Sequence, residues 1–236
     1  MYIYGKNVVK ETLDSNKKIA KAYVNKKIKN NDIVELMKKK GVKIHFVEDN
    51  ILNHMVDGNH QGFVIEVDEV KTYPLDDLFD IGEGECPIVV MLDHLEDPHN
   101  FGAIIRTCEA MGVKGIVIPN DRNVGITGVV VKTSAGAIQH TKIIRTPNLV
   151  SAIDKLKKHG YWIIGTDMDG TDYTVLDYNM PVVLVIGNEG SGISNVVKKS
   201  CDYVAKIPMY GKINSLNASV SCGMFLSEIV NARRKI

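Results

Sequence analysis

Four short runs of almost entirely apolar residues dominate the second half of this sequence. They cover residues 88–92, 115–118, 161–166 and 182–186. Runs of this length and character are typical of the central strands of a parallel sheet, because such strands are buried on both faces. Helices are predicted between them at residues 102–111 and 149–159. The alternation of strand and helix therefore predicts an α/β sheet with helices on both faces.

The first 70 residues predict a separate, small α/β module. Its predicted helices cover residues 7–15, 32–40 and 50–55, and its predicted strands cover residues 22–24, 43–47 and 63–67. Gly41 is placed to end the second helix, and a turn cluster at 58–62 precedes the last strand.

An acidic stretch poor in large apolar residues follows this module. It begins near Pro74 and ends near Gly82 and Gly84, which is a composition typical of linkers. The predicted domains are therefore residues 1–70 and 86–236, joined by a linker at 71–85. The chain is predicted to end in an amphipathic helix at 218–235.

The net charge of +1 conceals an uneven distribution along the chain. Residues 1–47 carry 12 Lys against 4 acids, residues 48–97 carry 1 Lys against 14 acids, and residues 98–236 carry 16 Lys and Arg against 10 acids. Two basic blocks thus flank an acidic middle. A Lys run is typical of a solvated surface but also of a surface that binds phosphates.

The cysteines and the N-terminal sequence bear on the compartment. The four cysteines form no CxxC pair and no zinc-ligand spacing, so reduced thiols are expected. The N-terminus lacks the apolar core of a signal peptide, and the longest apolar run, residues 87–92, is too short to cross a bilayer. We expect a cytoplasmic protein.

Three loops rich in glycine and amide residues each follow an apolar strand, at residues 93–106, 187–194 and 207–219. Ligands bind beyond the carboxyl ends of parallel strands, so the three loops are expected to converge on one site. The loop at 187–194 is neither a GxGxxG fingerprint nor a P-loop. Its small residues allow close backbone approach to a ligand, with Glu189 facing it, although a turn without a ligand gives the same pattern.

The first loop places two His and three acids within residues 93–99. Their spacing does not suit a metal, and Pro98 favours a turn, so no metal site is predicted. Asp97 or Asn100 is instead expected to cap a helix that begins near residue 102. Arg106 would then lie in the first turns of that helix, either as a surface ion pair or as a phosphate clamp.

These loops resemble the three motifs of the SpoU (TrmH) family of RNA ribose 2′-O-methyltransferases. The first motif lies at residues 100–106 (Asn-Phe-Gly-Ala-Ile-Ile-Arg), the second at 185–192 and the third at 207–220. The order, the spacing and a C-terminal helix all agree with the family, and Ala218 departs from it conservatively where Val is common. The His60-Gln61-Gly62 sequence is similar to the substrate-binding domain of members that modify large-subunit rRNA.

The resemblance implies a trefoil-knotted parallel sheet, a small ribosomal-protein-like N-terminal α/β domain and S-adenosylmethionine as cofactor. It also implies a homodimer formed through the knotted domain and the C-terminal helix. Gly187, Ile207 and Leu216 are implied to bind the cofactor through backbone groups. Thr166, Ile186 and Met209 are their expected neighbours.

The resemblance also assigns catalytic roles. In this family the motif-one arginine, here Arg106, has been proposed as the base, but a guanidinium stays protonated in proteins. Our hypothesis is that Arg106 binds the phosphate beside the target ribose and stabilises the developing alkoxide. Asn100 and Glu189 would orient it, and Ser215 and Asn217 would position the nucleotide.

RNA is accordingly the expected partner, with 23S rRNA as substrate and a guanosine ribose as target. The basic block near the N-terminus is expected to bind it through lysine side chains: Lys17, Lys18, Lys21, Lys26, Lys27 and Lys29. Contacts of His60 and Gln61 with RNA and a turn-stabilising His60 are both open. The alternatives are a tRNA ribose methyltransferase and a catalytically silent RNA-binding protein of the same fold, which would be expected to lose Arg106, Glu189 or Asn217.

Overall fold

The computed structural model describes residues 2–14, 19–28, 31–67, 70–121, 123–213 and 215–234. Lys17, Lys18 and Lys29 of the basic block, and residues 15, 214 and 235 of the predicted elements, lie outside the described residues. The backbone divides into two compact units. The first unit comprises residues 1–70 and 126–132, and the second comprises residues 71–125 and 133–236. In the part of the chain that is described, no helix is long and apolar enough to cross a membrane.

The first unit is built on a four-stranded sheet. In chain order its elements are β1 (Tyr2–Tyr4), α1 (Lys6–Asp14), β2 (Ile19–Asn25), α2 (Asp32–Lys39), β3 (Ile44–Val47), α3 (Asp49–Met55) and β4 (Phe63–Val67). The strand order is β1-β4-β2-β3. Strands β2 and β3 are parallel, whereas β4 runs antiparallel to both β1 and β2.

The core of the first unit lies between one face of this sheet and the helices α1 and α2. Strand residues alternate between the two faces, so every second side chain of β1, β2 and β4 enters the core. The helices add Val9 and Leu13 from α1 and Ile33 and Met37 from α2, all buried. Asn31 caps α2, because its Oδ1 accepts a hydrogen bond from the N–H of Ile33 at 2.9 Å.

Most of the remaining elements belong to the second unit, together with three 3₁₀ turns at Leu75–Leu78, Ala137–Gln139 and Tyr173–Val175. In chain order the remaining elements are β5 (Thr72–Tyr73), β6 (Ile88–Asp93), α4 (Pro98–Ala110), β7 (Gly115–Pro119), α5 (Gly128–Thr133), β8 (Ile143–Thr146), α6 (Leu149–Lys158), β9 (Trp162–Asp172), β10 (Val182–Gly187), α7 (Asn195–Lys199), β11 (Tyr203–Lys206) and α8 (Ala218–Arg234). Most of α5 belongs to the first unit.

The sheet of the second unit has seven strands in the order β11-β9-β10-β6-β7-β8-β5, and all its neighbouring pairs are parallel. The predicted parallel α/β sheet is confirmed. The four apolar runs form its adjacent strands β9, β10, β6 and β7, and every residue of β6, β7 and β10 is buried. One face packs against α6 through Leu149, Ile153 and Leu156.

Residues 71–85 are not a linker, contrary to the prediction from composition. Strand β5 pairs with β8, with Tyr73 opposite Ile144, and so extends the sheet of the second unit. Leu78 is fully buried in the core of that unit and accepts a hydrogen bond from the Tyr161 hydroxyl through its backbone carbonyl. A few apolar side chains are enough to hold this acidic segment on the sheet edge.

A second difference concerns residues 126–132, which the sequence assigned to the domain at 86–236. They belong to the first unit. The Cα of Gly128 lies so close to β1 that an added Cβ would stand 3.2 Å from Ile3 Cγ2 and 3.5 Å from Val8 Cγ1. Apolar packing on the core of the first unit therefore holds this segment.

The helix of the first loop begins earlier than predicted. It starts at Pro98 rather than near residue 102, because proline suits the first position of a helix, where its missing N–H costs nothing. Asp97 is the cap, and its Oδ1 accepts from the N–H of His99 at 2.8 Å. Asn100, the other candidate cap, instead lies within the first turn.

Candidate active site

The three loops predicted to converge do so at the carboxyl ends of β6, β9, β10 and β11. These strands are parallel neighbours, so their carboxyl ends meet at one edge of the sheet. A cavity of about 510 Å³ lies there. All six residues predicted to bind the cofactor line it: Thr166, Ile186, Gly187, Ile207, Met209 and Leu216.

The loop after β10 folds back onto the end of its own strand. The backbone groups of Asn188 and Gly192 exchange two hydrogen bonds, of 3.0 and 2.9 Å. A Cβ added at Gly187 would lie 2.1 Å from the carbonyl carbon of Gly192. Only glycine therefore fits at position 187, since the obstacle is backbone rather than a movable side chain.

Two further bonds tie this loop to the end of β6. The side chain of Asn188 donates from Nδ2 to the carbonyl of His94 at 3.0 Å, and the N–H of Ser194 donates to Asp93 Oδ2 at 2.7 Å. Asp93 is buried and also bonds to the His94 ring through its Oδ1. Asp93 and His94 of the first loop are thus used in structural contacts. Within the described part of the chain, no group of three or more His, Cys, Asp or Glu side chains could hold a metal ion.

Strand β9 contains a bulge that forms one wall of the cavity. Strand β11 pairs with β9 at Gly165 and again at Thr171, which leaves residues 166–170 out of register. The Thr166 hydroxyl donates to the carbonyl of Val185 at 2.9 Å and holds the bulge against β10.

Two acidic residues of this bulge, Asp167 and Asp169, line the cavity, and the site prediction did not include them. The available signal was their position directly after an apolar strand. Lys198 approaches Asp167 Oδ2 at 2.9 Å. Partial burial alone would raise the pKa of the Asp167 carboxyl, but hydrogen bonds from Lys198 and from backbone N–H groups outweigh it, so this pKa lies below its usual value.

A chain of three side chains, here called the amide chain, joins the three loops. Asn217 donates from Nδ2 to Asn100 Oδ1 at 2.8 Å, and Asn100 donates from Nδ2 to Glu189 Oε1 at 2.7 Å. The direction of the chain is fixed at its start, because Asn217 Oδ1 accepts the N–H of Ser219 at 2.9 Å and so caps α8. Asn100 is 6% exposed. Each loop therefore contributes one residue to a partly buried polar contact, in which Asn100 is the buried member.

Arg106 does not join the amide chain. It is exposed on α4, six residues after Asn100, and six residues correspond to about 240° of helix rotation beyond one full turn. Asn100 and Glu189 bond to each other, and no hydrogen bond between described residues joins either of them to Arg106, so their orienting of Arg106 stays a prediction. Ser215 is exposed and lines the cavity beside Leu216.

A sequence profile of the SpoU rRNA methylase family matches residues 87–227, which include all three loops. The chain belongs to the SpoU rRNA methylase family. A second profile, for the substrate-binding domain of RNA 2′-O-ribose methyltransferases, matches residues 2–73. The SpoU match and the substrate-binding match together cover nearly the whole sequence.

Relatives of this SpoU chain include YacO of Bacillus subtilis, whose name assigns it to the TrmH family of tRNA/rRNA methyltransferases. It is 43% identical over 100% of this chain and 97% of its own length. A solved rRNA methyltransferase from Sinorhizobium meliloti, with AdoMet bound, is 27% identical, with a TM-score of 0.66 over 100% of this chain and 87% of that one. The TrmH/SpoU tRNA-modifying enzyme of A. aeolicus is 29% identical, with a TM-score of 0.58 over 68% of this chain and 81% of its own.

Proposed function

We propose that this SpoU-family RNA methyltransferase transfers a methyl group from S-adenosylmethionine to a ribose 2′-hydroxyl, that of a guanosine in 23S rRNA. The observation that supports this most is that the loops at 187–194 and 207–219 line one cavity, while the amide chain joins the loop at 93–106 to both of them. S-adenosylmethionine supplies an electrophilic methyl group on a sulfonium. The chain itself must bind the donor, hold the ribose beside it and exclude competing water.

The cavity suits such a cofactor in size and in chemistry. Its volume falls within the range of roughly 300–1,000 Å³ that small-molecule sites occupy. Ile186, Leu216 and Phe225 provide apolar surface for an adenine ring. Asp167 and Asp169 provide carboxylates for a cationic ligand. We assign the backbone contacts to Gly187, Ile207 and Leu216.

Arg106 is proposed to bind the RNA phosphate beside the target ribose. A guanidinium remains protonated and cannot take the hydroxyl proton, whereas its planar fork matches a phosphate. Its exposure on α4 leaves it accessible to RNA. In that position it would also stabilise negative charge developing on the ribose oxygen. Ser215, beside the cavity, is proposed to position the nucleotide together with Asn217.

The choice of rRNA over tRNA rests on the first unit. The S. meliloti rRNA methyltransferase aligns with the whole of this chain, whereas the A. aeolicus tRNA-modifying enzyme aligns with 68% of it. The substrate-binding match at residues 2–73 also supports an RNA contact made by this unit. A silent RNA-binding protein is the weaker alternative, because Glu189 and Asn217 are present and engaged in the amide chain.

We further propose the trefoil knot, and a homodimer that forms through the knotted domain and α8. Apolar side chains exposed in and before α8 support the dimer, since Val220 is 49% exposed and Ile213 is 76% exposed. Light scattering coupled to size exclusion should give twice the chain mass of 26.1 kDa. A stable monomer that transfers methyl groups would contradict the dimer.

Transfer of labelled methyl groups to RNA tests the function. The full-length protein is incubated with radiolabelled S-adenosylmethionine and either large-subunit rRNA or tRNA, and ribose methylation is then mapped by its resistance to alkaline cleavage. We expect one guanosine in rRNA to be modified. Modification of tRNA alone would overturn the substrate, and no transfer to any RNA would favour the silent protein.

The Arg106→Lys variant tests the role of the guanidinium. It keeps the charge but loses the planar pair of donors, so we expect turnover to fall by about 100-fold if the phosphate contact must be bidentate. Arg145, exposed on β8, serves as the control through Arg145→Lys, which makes the same change away from the three loops. Normal turnover of Arg106→Lys would contradict the proposed contact.

A further inference from the structure

A second cavity, of about 470 Å³, lies in the first unit at the carboxyl end of β2. The last residue of β2, the first turn and a half of α3 and the loop at residues 58–62 line it. Four of the side chains in this lining are amides: Asn25, Asn53, Asn59 and Gln61. We call this cavity the amide pocket. It lies in a unit that does not contain the cofactor cavity, and the methyl transfer step does not use it.

The orientation of Asn53 follows from the protonation of a buried histidine. His60 is 7% exposed, and its Nδ1 accepts the N–H of Gly62 at 3.0 Å. Nδ1 therefore carries no proton, and the proton of the neutral ring is on Nε2. That Nε2–H lies 2.9 Å from Asn53 Oδ1 and donates to it. Asn53 must turn its oxygen toward His60, which leaves its NH₂ group for the pocket.

Backbone N–H groups fix the orientation of Asn59 and Gln61 in the same way, because each bonds to the amide oxygen. Asn59 Oδ1 accepts the N–H of Gln61 at 3.2 Å, and Gln61 Oε1 accepts the N–H of Lys6 at 2.9 Å. Both oxygens are used within the unit. Among the described residues, the NH₂ groups of Asn53, Asn59 and Gln61 have no hydrogen-bond partner. The pocket is therefore lined by three hydrogen-bond donors.

The lining of the pocket also contains one carboxylate acceptor, that of Asp49. Asn25 is buried, its Oδ1 accepts the N–H of Lys27 at 2.9 Å, and its Nδ2 donates to Asp49 Oδ1 at 2.5 Å. This fixes the carboxylate of Asp49 at the pocket and leaves Oδ2 without a partner in the described part of the chain. The pocket thus combines amide donors with one carboxylate acceptor.

We propose that the amide pocket binds one unpaired RNA nucleotide and recognises a keto base, guanine or uracil. Both bases carry carbonyl oxygens that accept from amide NH₂ groups, and both carry a ring N–H that donates to a carboxylate. Adenine has no carbonyl oxygen, and cytosine has no ring N–H on its pairing edge. The pocket complements both features of a keto base at once. This inference rests on the proposed RNA substrate.

A phosphate group is the competing occupant, since amide donors and the nearby Lys27 also suit an anion. The Asp49 carboxylate argues against it. Asp49 is held in place by a buried asparagine, and a phosphate in the pocket would lie against a second negative charge. A neutral base has no such penalty and uses the free carboxylate oxygen.

Binding to short single strands tests the base preference. Fluorescence anisotropy of the full-length protein is measured with two labelled RNA dodecamers, one of alternating guanosine and uridine and the other of alternating cytidine and adenosine. We expect the keto strand to bind about tenfold more tightly at the same salt concentration. Equal affinities would mean that the pocket holds phosphate or nothing, and would overturn the proposal.

Two variants separate base recognition from general electrostatics. Asp49→Asn removes a negative charge and keeps an acceptor for Asn25. The strand of cytidine and adenosine should therefore bind as well as before or better, whereas the strand of guanosine and uridine should lose its tenfold advantage. Asn59→Asp replaces NH₂ with oxygen and should also reduce the ratio of the two affinities. Asn31→Asp is the matched control for Asn59→Asp, because both variants replace an asparagine of the first unit with a negatively charged aspartate. An aspartate at position 31 still caps α2.

The ratio of affinities distinguishes this proposal from the proposed function. If the protein methylates RNA but shows no base preference, or if Asn59→Asp and its control Asn31→Asp alter the ratio equally, the pocket proposal fails and the function stands. If the preference is present without methyl transfer, the pocket proposal stands and the enzymatic function fails.

Discussion

The amide chain of the second unit and the amide pocket of the first are both built from amide side chains, but their NH₂ groups are used differently. In both, a backbone N–H or a ring N–H fixes which end of each amide is the oxygen. In the amide chain, the NH₂ group of Asn217 donates to Asn100, and that of Asn100 donates to Glu189. In the amide pocket the NH₂ groups remain available. Amides of fixed orientation can therefore hold loops together when their NH₂ groups are bonded within the protein, or bind a ligand when those groups are free.

The loops that carry these amides also differ in how tightly glycine is required. At Gly187 an added Cβ would meet the backbone of Gly192, whereas at Gly62, in the first unit, it would meet the Cδ1 atom of Ile28 at 2.5 Å. Backbone cannot move without moving the loop, but a side-chain terminus can rotate away. The loop of the second unit should be the less tolerant of the two.

Gly187→Ala should have the largest effect. The added methyl group must displace the backbone of residues 188–192, and a misplacement of about 1 Å can cost about 100-fold in the rate of the chemical step. We expect the rate of methyl transfer to fall by about that factor, and the affinity for S-adenosylmethionine, measured by equilibrium dialysis, to fall as well. Gly125→Ala is the control, because a Cβ there meets nothing within 4 Å. Equal affinities for the two variants would show that the loop is as adaptable as the one in the first unit.

Asn100→Asp should come next, because it ends the amide chain with two carboxylates in contact. Burying a second negative charge against Glu189 should lower the free energy of unfolding by about 2–4 kcal/mol and reduce methyl transfer. Like charges raise the pKa of one carboxyl, so the loss of stability should shrink as the pH falls and that group takes a proton. Denaturant unfolding at several pH values measures this.

The exposed Asn120→Asp is the control for Asn100→Asp. It makes the same change away from the amide chain and should alter stability by no more than about 0.5 kcal/mol at any pH. If both variants behave alike, the amide chain does not carry the burial cost that the geometry implies.

Gly62→Ala should have a smaller effect. Gly62 has φ +81°, so alanine pays a backbone strain of roughly 1–2 kcal/mol, to which displacement of Ile28 adds. Gly41→Ala is the matched control, since Gly41 has φ +68° with nothing within 4 Å. The difference between their free energies of unfolding isolates the Ile28 contact. We expect this difference to stay below about 1 kcal/mol. A larger value would show that Ile28 is no easier to displace than the backbone that faces Gly187.

Asp167→Asn should have the smallest effect, and its effect should depend on pH. The folded pKa of Asp167 is depressed, so ionised Asp167 stabilises the fold above its unfolded pKa, and this contribution is lost as the pH falls through the folded value. The wild type should exceed the variant in melting temperature near neutral pH, and the difference should vanish in acid. A difference that is constant from neutral pH to pH below about 3 would contradict the role of ionisation.

The second-unit sheet could be predicted from sequence because burial on both faces leaves a signal in every residue of β6, β7 and β10. The convergence of the loops followed from parallel strand direction alone. The relation between Asn100 and Arg106 could not be predicted, since it depends on where α4 starts. The sequence pattern treated Pro98 as a helix breaker, whereas it occupies the first helical position.

The prediction of domain boundaries was wrong where a few apolar side chains decide which unit a segment joins. The acids of residues 71–85 indicated a linker, but Tyr73 and Leu78 fix this segment to the sheet. Residues 126–132 contain an apolar run that predicts burial, but nothing in the local sequence indicates in which of the two cores it is buried. Their membership in the first unit depends on contacts with residues more than 100 positions away, such as that of Gly128 with Ile3.

Strand β5 has a consequence for solubility. A parallel sheet exposes unpaired backbone groups along its outer strands, and a long apolar outer strand would let two copies of the protein join edge to edge and aggregate. Strand β5 is two residues long and is followed by Pro74 and by Asp76 and Asp77. A further strand would find few N–H groups to pair with and would approach Asp76 and Asp77, the second of which is already paired with Lys142. This edge of the sheet thus offers little to a second copy of the chain.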